Sequence, residues 1–373
     1  MSKFQPPTPY SRSPIKVLIV DDSPVVRDLL TFILSSDPAI TIVGTAGDGE
    51  EAITLVREKK PDVVAMDIIM PKMDGFKATQ IIMETIPTPI VIVSASWKPQ
   101  EVEKTFRAME AGALAVLGKP MGVDHPSYNG LAKELIQTVK LMSDVKVIKR
   151  RPQKRKDPVI SRESTVAMVT PALSDWKVVA IGASTGGPLA IEAILSMLPE
   201  DFPAPLLIVQ HISEGFIDGF ANWLANSSKI TVKIAKHREH LLAGHAYIAP
   251  DNLQMGIDKE ERITLSVGTS ENKLCPSVSW LFRSVSEAFG KNAIGILLTG
   301  MGKDGAQELK LMRERGAITI AQDKGSSVIY GMPGEAVAIN AATHVLSPVG
   351  IAEFLSRWSR TQTYRRLSQE QET

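Results

Sequence analysis

The chain has 373 residues, 44% apolar and 22% charged, which excludes an intrinsically disordered polymer and suits two or three folded domains. Lys and Arg number 42 against 41 Asp and Glu, so no global charge draws the chain to nucleic acid or to an acidic membrane. No apolar run approaches the roughly 18 residues that cross a bilayer, and the single cysteine, Cys275, excludes an internal disulfide framework and points to a reducing, cytoplasmic compartment.

Residues 1–13 have no apolar core of a secretory signal and read as a disordered lead. Ile15 to Val20 is a short β-rich run that stops at Asp21-Asp22. Ser23-Pro24 is a helix cap with proline at the first helical position, and Val26, Leu29, Leu30, Ile33 and Leu34 follow at helical spacing. Further buried strands are expected at 62–66, ending at Asp67, at 90–93, ending at Ser94, and at 113–117, running into Lys119-Pro120. Residues 145–162 carry eight basic side chains against one acidic, while the stretches on either side are each net −3. This basic, proline-containing stretch reads as a linker. The expected domains are therefore 14–141 and 175–360, joined by a linker at 142–174 and followed by a polar tail at 361–373.

Alternating strands and helices predict an α/β fold with two doubly wound parallel-sheet domains, in which functional residues collect beyond the carboxyl ends of the strands. In the first domain that edge holds Asp21, Asp22, Asp67, Ser94 and Lys119. Three carboxylates make a hard-oxygen site suited to Mg²⁺, which can hold a phosphoryl group against Asp67. Ser94 and Lys119 can donate to the remaining phosphoryl oxygens. The segments VLIVDDSPVVR, VVAMDIIMPKMDG and IVIVSA and the Lys-Pro pair at 119–120 resemble the response-regulator receiver domain, a flavodoxin-like fold. The resemblance implies Asp67 as phospho-acceptor, Asp21 and Asp22 as the acidic pocket, the Ile69 carbonyl as a further Mg²⁺ ligand, and a sensor histidine kinase as phosphoryl donor. Val116 departs from the aromatic residue usual three positions before the lysine, which puts an aromatic rotamer switch in doubt.

In the second domain, 178–181 reads as a strand that enters Gly182-Ala183-Ser184-Thr185-Gly186-Gly187-Pro188 and then a helix. Gly182 to Gly186 match G-x-S-x-G, a turn that lifts a serine above a sheet, with helix N–H groups available to an oxyanion. The same glycines could instead cradle an anion. A strand at 206–209 ends at Gln210-His211, and one at 294–298 ends in a loop containing Asp304. Ser184, His211 and Asp304 thus form a candidate nucleophile, base and orienting carboxylate at one sheet edge. Asp251 and Asp323 are alternative carboxylates. Thr185 and Met301 are expected to border the oxyanion. His237, His240 and His245 are spaced like metal ligands but lack a supporting pattern. Cys275 reads as a buried or interface thiol.

The segments VAIGASTGGP, IVQHISEGF, AYIAP, CPSVSWLFRSV, GILLTGMGKDGA and TIAQDKGSSVIYGMP resemble the catalytic domain of the CheB family of chemotaxis protein-glutamate methylesterases, a Rossmann-like fold. The resemblance implies hydrolysis of glutamate methyl esters on chemoreceptor helices, with deamidation of receptor glutamines, by a phosphorylation-activated two-component response regulator. It implies no cofactor for the esterase reaction, while the charge balance and the lack of a bilayer-length apolar run argue against a nucleic-acid partner and against embedding in the membrane. Gln254 stands where a histidine is usual and Gly334 where an arginine is usual; both changes are expected to alter receptor docking or substrate range. A transcription factor and a catalytically dead adaptor are the rival readings. The first lacks a basic reading face, and the second is opposed by the intact Ser184, His211 and Asp304 set.

Overall fold

The computed structural model describes residues 13–94, 99–120, 122, 125, 128–147, 176–268 and 274–370. Most of the lead and linker read from the sequence, and residues 371–373, lie outside the described residues. Chain contacts define two compact units, one of residues up to 95 with 111–151, the other of 96–110 with residues from 152 onward.

The first unit holds β1 (Ile15–Val20), α1 (Pro24–Ser35), β2 (Ile40–Ala46), α2 (Gly49–Lys59), β3 (Val63–Met66), α3 (Gly75–Thr85) and β4 (Ile90–Ser94). Helix α4 (Pro99–Ala111) follows in the chain but falls almost wholly in the second unit. β5 (Ala115–Gly118) and α5 (Tyr128–Ser143) complete the first unit. Its sheet is parallel in the order β2-β1-β3-β4-β5. Val17 to Val20 and Val63 to Met66 are buried at every position, as strands covered on both faces must be. Short polar side chains start the helices: Ser23 caps α1, the Asp48 carboxylate accepts from the Glu50 and Glu51 N–H groups, and Asp74 accepts from Lys77 N–H.

The second unit runs β6 (Val178–Ala183), α6 (Gly187–Leu195), β7 (Leu206–Gln210), α7 (Ile217–Ser227), β8 (Thr231–Ile234), β9 (His245–Ile248), β10 (Leu253–Ile257), β11 (Ile263–Val267) and α8 (Val278–Phe289). It continues with β12 (Ala293–Leu297), α9 (Ala306–Glu314), β13 (Ile318–Gln322), α10 (Met332–Ala338), β14 (His344–Leu346) and α11 (Pro348–Glu370). Seven parallel strands form one sheet in the order β14-β13-β12-β6-β7-β9-β8. Strands β10 and β11 form a separate antiparallel pair that the sequence reading did not separate from the surrounding connections. Helix α11 continues to Glu370, through most of the stretch read as a polar tail. Met255, Ile257 and Ile263 of the pair join Val278, Leu281, Phe282 and Val285 of α8 in the buried core.

Both sheets reverse direction at a definite place. In the first, the chain turns from β2 back across β1 to β3; in the second, it leaves β6 toward β7 and returns on the other side as β12. Such switch points open a crevice beyond the strand ends, where α/β proteins bind ligands. Asp21 and Asp67 flank one switch point, and Ser184 and Asp304 flank the other.

Candidate active site

The first switch point assembles a charged pocket. Val20 and Met66 are register partners, so Asp21 and Asp67 are the next residues on adjacent strands, and Asp67 N–H donates to the Val20 carbonyl at 2.8 Å. Ser94 is opposite Gly118, which brings Lys119 to the same edge. Lys119 Nζ lies 2.7 Å from Asp21 Oδ2 and 2.8 Å from Asp67 Oδ2. The other Asp67 oxygen accepts from Ile68 N–H at 2.8 Å. Burial pushes the Asp67 carboxyl up to about 6; Lys119 opposes that shift and Asp21 adds to it. Burial works against the Lys119 charge, but Asp67 and Asp21 hold its titration above the ordinary range.

Ligand oxygens of Asp21, Asp22 and Asp67 lie within 4.8 Å of one another, and no other such acidic, histidine or cysteine group occurs among the described residues. Three clustered carboxylates with one lysine paired to two of them leave excess negative charge, so this donor set fits a divalent hard cation. Ile69 follows Ile68 in the same loop. Gly75, the first residue of α3, packs against this site so closely that a Cβ there would sit 1.9 Å from the Asp67 carbonyl oxygen.

The second switch point places Ser184 directly after β6. Ala183 and Gln210 are register partners, so Ser184 and His211 are the next residues on neighbouring strands. His211 N–H donates to the Ala183 carbonyl at 2.9 Å, and Ser184 N–H donates to the Thr299 carbonyl at 3.0 Å. The turn closes through Gly187 N–H on the Ser184 carbonyl and through Gly186, whose φ of +80° and contact with Val328 leave no room for a side chain.

His211 Nε2 lies 3.0 Å from Asp304 Oδ2. Strands β7 and β12 flank β6 on opposite sides, roughly 10 Å apart at the usual strand spacing. The His–Asp pair therefore spans the end of β6, the strand that delivers Ser184. Ser277 Oγ and Ser279 N–H donate to Asp304 Oδ1, each at 3.0 Å, and Val278 N–H donates to Oδ2 at 2.7 Å. Burial raises the Asp304 carboxyl, but His211 and these donors at the start of α8 hold it well below the usual carboxylate range. An ionised Asp304 can only accept, so Nε2 of His211 carries the hydrogen and Nδ1 is left with the lone pair.

The alternatives separate cleanly. Asp251 accepts from Gly215 N–H at 2.8 Å and Asp323 from Ser326 N–H at 2.8 Å, while Asp304 meets the histidine. His237 accepts from Leu265 N–H and His245 pairs with the Ala243 carbonyl. Thr185 is fixed through its carbonyl, 2.9 Å from the Thr299 hydroxyl, and Met301, two residues after Thr299, is 39% exposed. Cys275 is partly exposed, with its sulfur against Gly268.

Sequence reasoning missed two features and misplaced a third. One is the clamp from Ser277, Val278 and Ser279, which a helix cap after Cys275-Pro276 could have signalled. Another is Gln210, whose buried Nε2 lies 2.9 Å from the Ser184 carbonyl and 2.7 Å from that of His211. The last is Gln254. Expected to influence docking or substrate range, it is 1% exposed and lies beneath the start of α8, so it cannot touch a receptor. Gly334 lies in α10 against the Tyr330 ring.

Residues 179–355 match the CheB methylesterase family and residues 17–125 match the response regulator receiver domain. A protein-glutamate methylesterase/protein-glutamine glutaminase of Syntrophus aciditrophicus is 55% identical over 344 residues, covering 91% of this chain and 97% of that protein. The chain belongs to the CheB methylesterase family. A second member of the family, from Nitrosospira multiformis, is 53% identical over 92% of this chain and 96% of its own. The CheB methylesterase catalytic domain of Thermotoga maritima is 34% identical over 49% of this chain and 98% of its own, with a TM-score of 0.47. Among the described residues, no helix is long and apolar enough to cross a membrane.

Proposed function

We propose that the chain is a phosphorylation-activated protein-glutamate methylesterase and glutaminase that acts on the cytoplasmic helices of methyl-accepting chemoreceptors. The observation that carries this reading is the His211–Asp304 pair at 3.0 Å, set across the end of the strand that delivers Ser184. Ser184 is the nucleophile. Its hydroxyl attacks the γ-carbonyl of the glutamate methyl ester while His211 Nδ1 accepts the proton. Asp304 accepts the Nε2 hydrogen, keeps the tautomer that leaves Nδ1 basic, and stabilises the imidazolium that forms. Backbone N–H groups near Thr185 and Met301 hold the oxyanion. The imidazolium returns its proton to the departing methanol. Water, deprotonated by His211, then releases glutamate and frees Ser184. A glutamine side chain follows the same course with ammonia as leaving group.

Regulation belongs to the other switch point. Asp67 is the phospho-acceptor, supplied by a sensor histidine kinase, and Ser94 and Lys119 contact the phosphoryl oxygens. Mg²⁺, when bound, would be held by Asp21, Asp22, Asp67 and the Ile69 carbonyl, where it neutralises phosphoryl charge. We assign the receiver to residues 14–141, the basic linker to 142–174 and the esterase to 175–360, in a cytoplasmic protein.

The test is methanol release from methylated receptor membranes by the full chain, with and without a small phosphoryl donor and Mg²⁺. Release that rises with the donor, and is absent in Ser184→Ala, supports the reading. Undiminished release by Ser184→Ala overturns the site, and indifference to the donor overturns the regulation.

A further inference from the structure

A buried amide stands behind the Asp304 clamp. Gln254, the second residue of β10, is enclosed beside the loop that leads into α8. Its Oε1 accepts from Ser277 N–H at 2.8 Å, and its Nε2 donates to the Leu274 carbonyl at 2.7 Å. Ser277 is the cap residue of α8, yet its hydroxyl makes no capping bond to its own helix and is spent on Asp304. The hydrogen bonds are contiguous: Gln254 holds Ser277, Ser277 and the two residues after it hold Asp304, and Asp304 holds His211.

We propose that Gln254 is a positioning residue for the esterase reaction. It fixes the first turn of α8, so that three donors stay on Asp304 and the carboxylate stays on His211 Nε2. The inference rests on the roles given above to Ser184, His211 and Asp304.

Three physical points carry it. An N–H at a buried helix start needs an acceptor, and Gln254 supplies one to Ser277. The amide stands on a strand paired over five residues with β11 and anchored by Met255 and Ile257, so its position is rigid. A displacement of about 1 Å in a reacting constellation can cost roughly a hundredfold in rate. Without the amide, the loop from Leu274 to Ser277 loses its tie to β10, and the α8 donors shift together. Gln254 itself touches neither Ser184 nor His211, so its effect must pass through the Ser277–Asp304 contact.

The experiment compares the full chain with Gln254→Met, Ser277→Ala, their double variant and Ser184→Ala, measuring kcat and KM for methanol release from methylated receptor membranes. Gln254→Met keeps the length of the side chain and removes both hydrogen bonds. It should lower kcat by roughly ten- to a hundredfold with KM within about twofold. The double variant should be no more than about threefold slower than the slower single, because both act on one contact. A kcat for Gln254→Met within twofold of the parent overturns the proposal, as do losses that multiply in the double variant. Gln254→Glu, which keeps an oxygen toward Ser277 N–H, should lose less than threefold even if its melting temperature falls. A loss as large as that of Gln254→Met would show that the acceptor is not what matters. Ser184→Ala separates the two levels of argument: continued turnover there removes the triad reading, whereas inactivity there with an indifferent Gln254→Met removes the positioning role alone.

Discussion

Asp304→Asn probes the site with the least change in shape. The carboxylate receives Ser277 Oγ and Ser279 N–H on Oδ1, and Val278 N–H and His211 Nε2 on Oδ2, at 2.7 to 3.0 Å. An amide has one oxygen for these four donors. With its nitrogen toward His211, it opposes Val278 N–H and donates to Nε2, so the proton moves to Nδ1 and the base is lost. With its nitrogen turned away, it opposes Ser279 N–H, and the imidazolium loses the facing negative charge. Either orientation leaves one backbone donor unpaired, which costs about 1–3 kcal/mol of stability. The rate effect is larger: the same exchange in a serine protease triad costs ~10⁴ in kcat, equivalent to about 5.5 kcal/mol. We expect a fall in kcat of roughly 10³ to 10⁴, with KM within about threefold because Asp304 meets no substrate. Steady-state methanol release and thermal unfolding together measure both effects. A fall of less than tenfold in a folded variant would refute the orienting role of Asp304.

Ser184→Ala should leave the melting temperature unchanged and lower methanol release by more than ~10³, checked by the absence of an acyl-enzyme in mass spectra. Asp67→Asn should abolish Mg²⁺-dependent labelling by acetyl phosphate while leaving unstimulated esterase activity in place. Gly75→Ala should destabilise the receiver by about 3 kcal/mol, read from its unfolding transition, because the new methyl group overlaps the Asp67 carbonyl. In the Mg²⁺-free protein, carboxyl carbon NMR should find Asp67 titrating near 6 against an ordinary value of 3.8. Its contribution to receiver stability is therefore fully present below 3.8 and lost as pH rises through about 6, and added Mg²⁺ should move the midpoint down. Asp304 has the opposite sign, since its carboxyl is depressed. The stability it gives the second unit is present above the ordinary carboxylate range and is lost on acidification below it.

Legibility in the sequence followed burial. A parallel strand covered on both faces reads as an unbroken apolar run, and the first one or two residues after the run are delivered to the sheet edge. Asp21, Asp67, Lys119, Ser184 and His211 all stand at such positions, so a linear reading could find them. The donors to Asp304 stand 25 to 27 residues earlier, and two of them are backbone N–H groups that carry no side-chain signature. Gln254 misled for a related reason. A polar residue in YIAPDNLQMGI looks solvated, and only the packing of β10 against α8 shows that its amide faces inward. The antiparallel pair β10–β11 escaped because Gln254 and Gly256 interrupt the apolar pattern of β10.

The span made by His211 has a spectroscopic consequence. The ring is joined to the backbone at one end and pinned through Nε2 to a saturated carboxylate at the other, so it behaves as a beam supported at both ends. Rocking about the Cα–Cβ bond is then damped, and Nδ1 is held in place without a direct tether of its own. The Nε2 hydrogen, enclosed between the ring and an anion, should exchange slowly with water and resonate far downfield in proton NMR. That line should persist in Ser184→Ala, where the beam is intact, and vanish in Asp304→Ala, where its far support is gone.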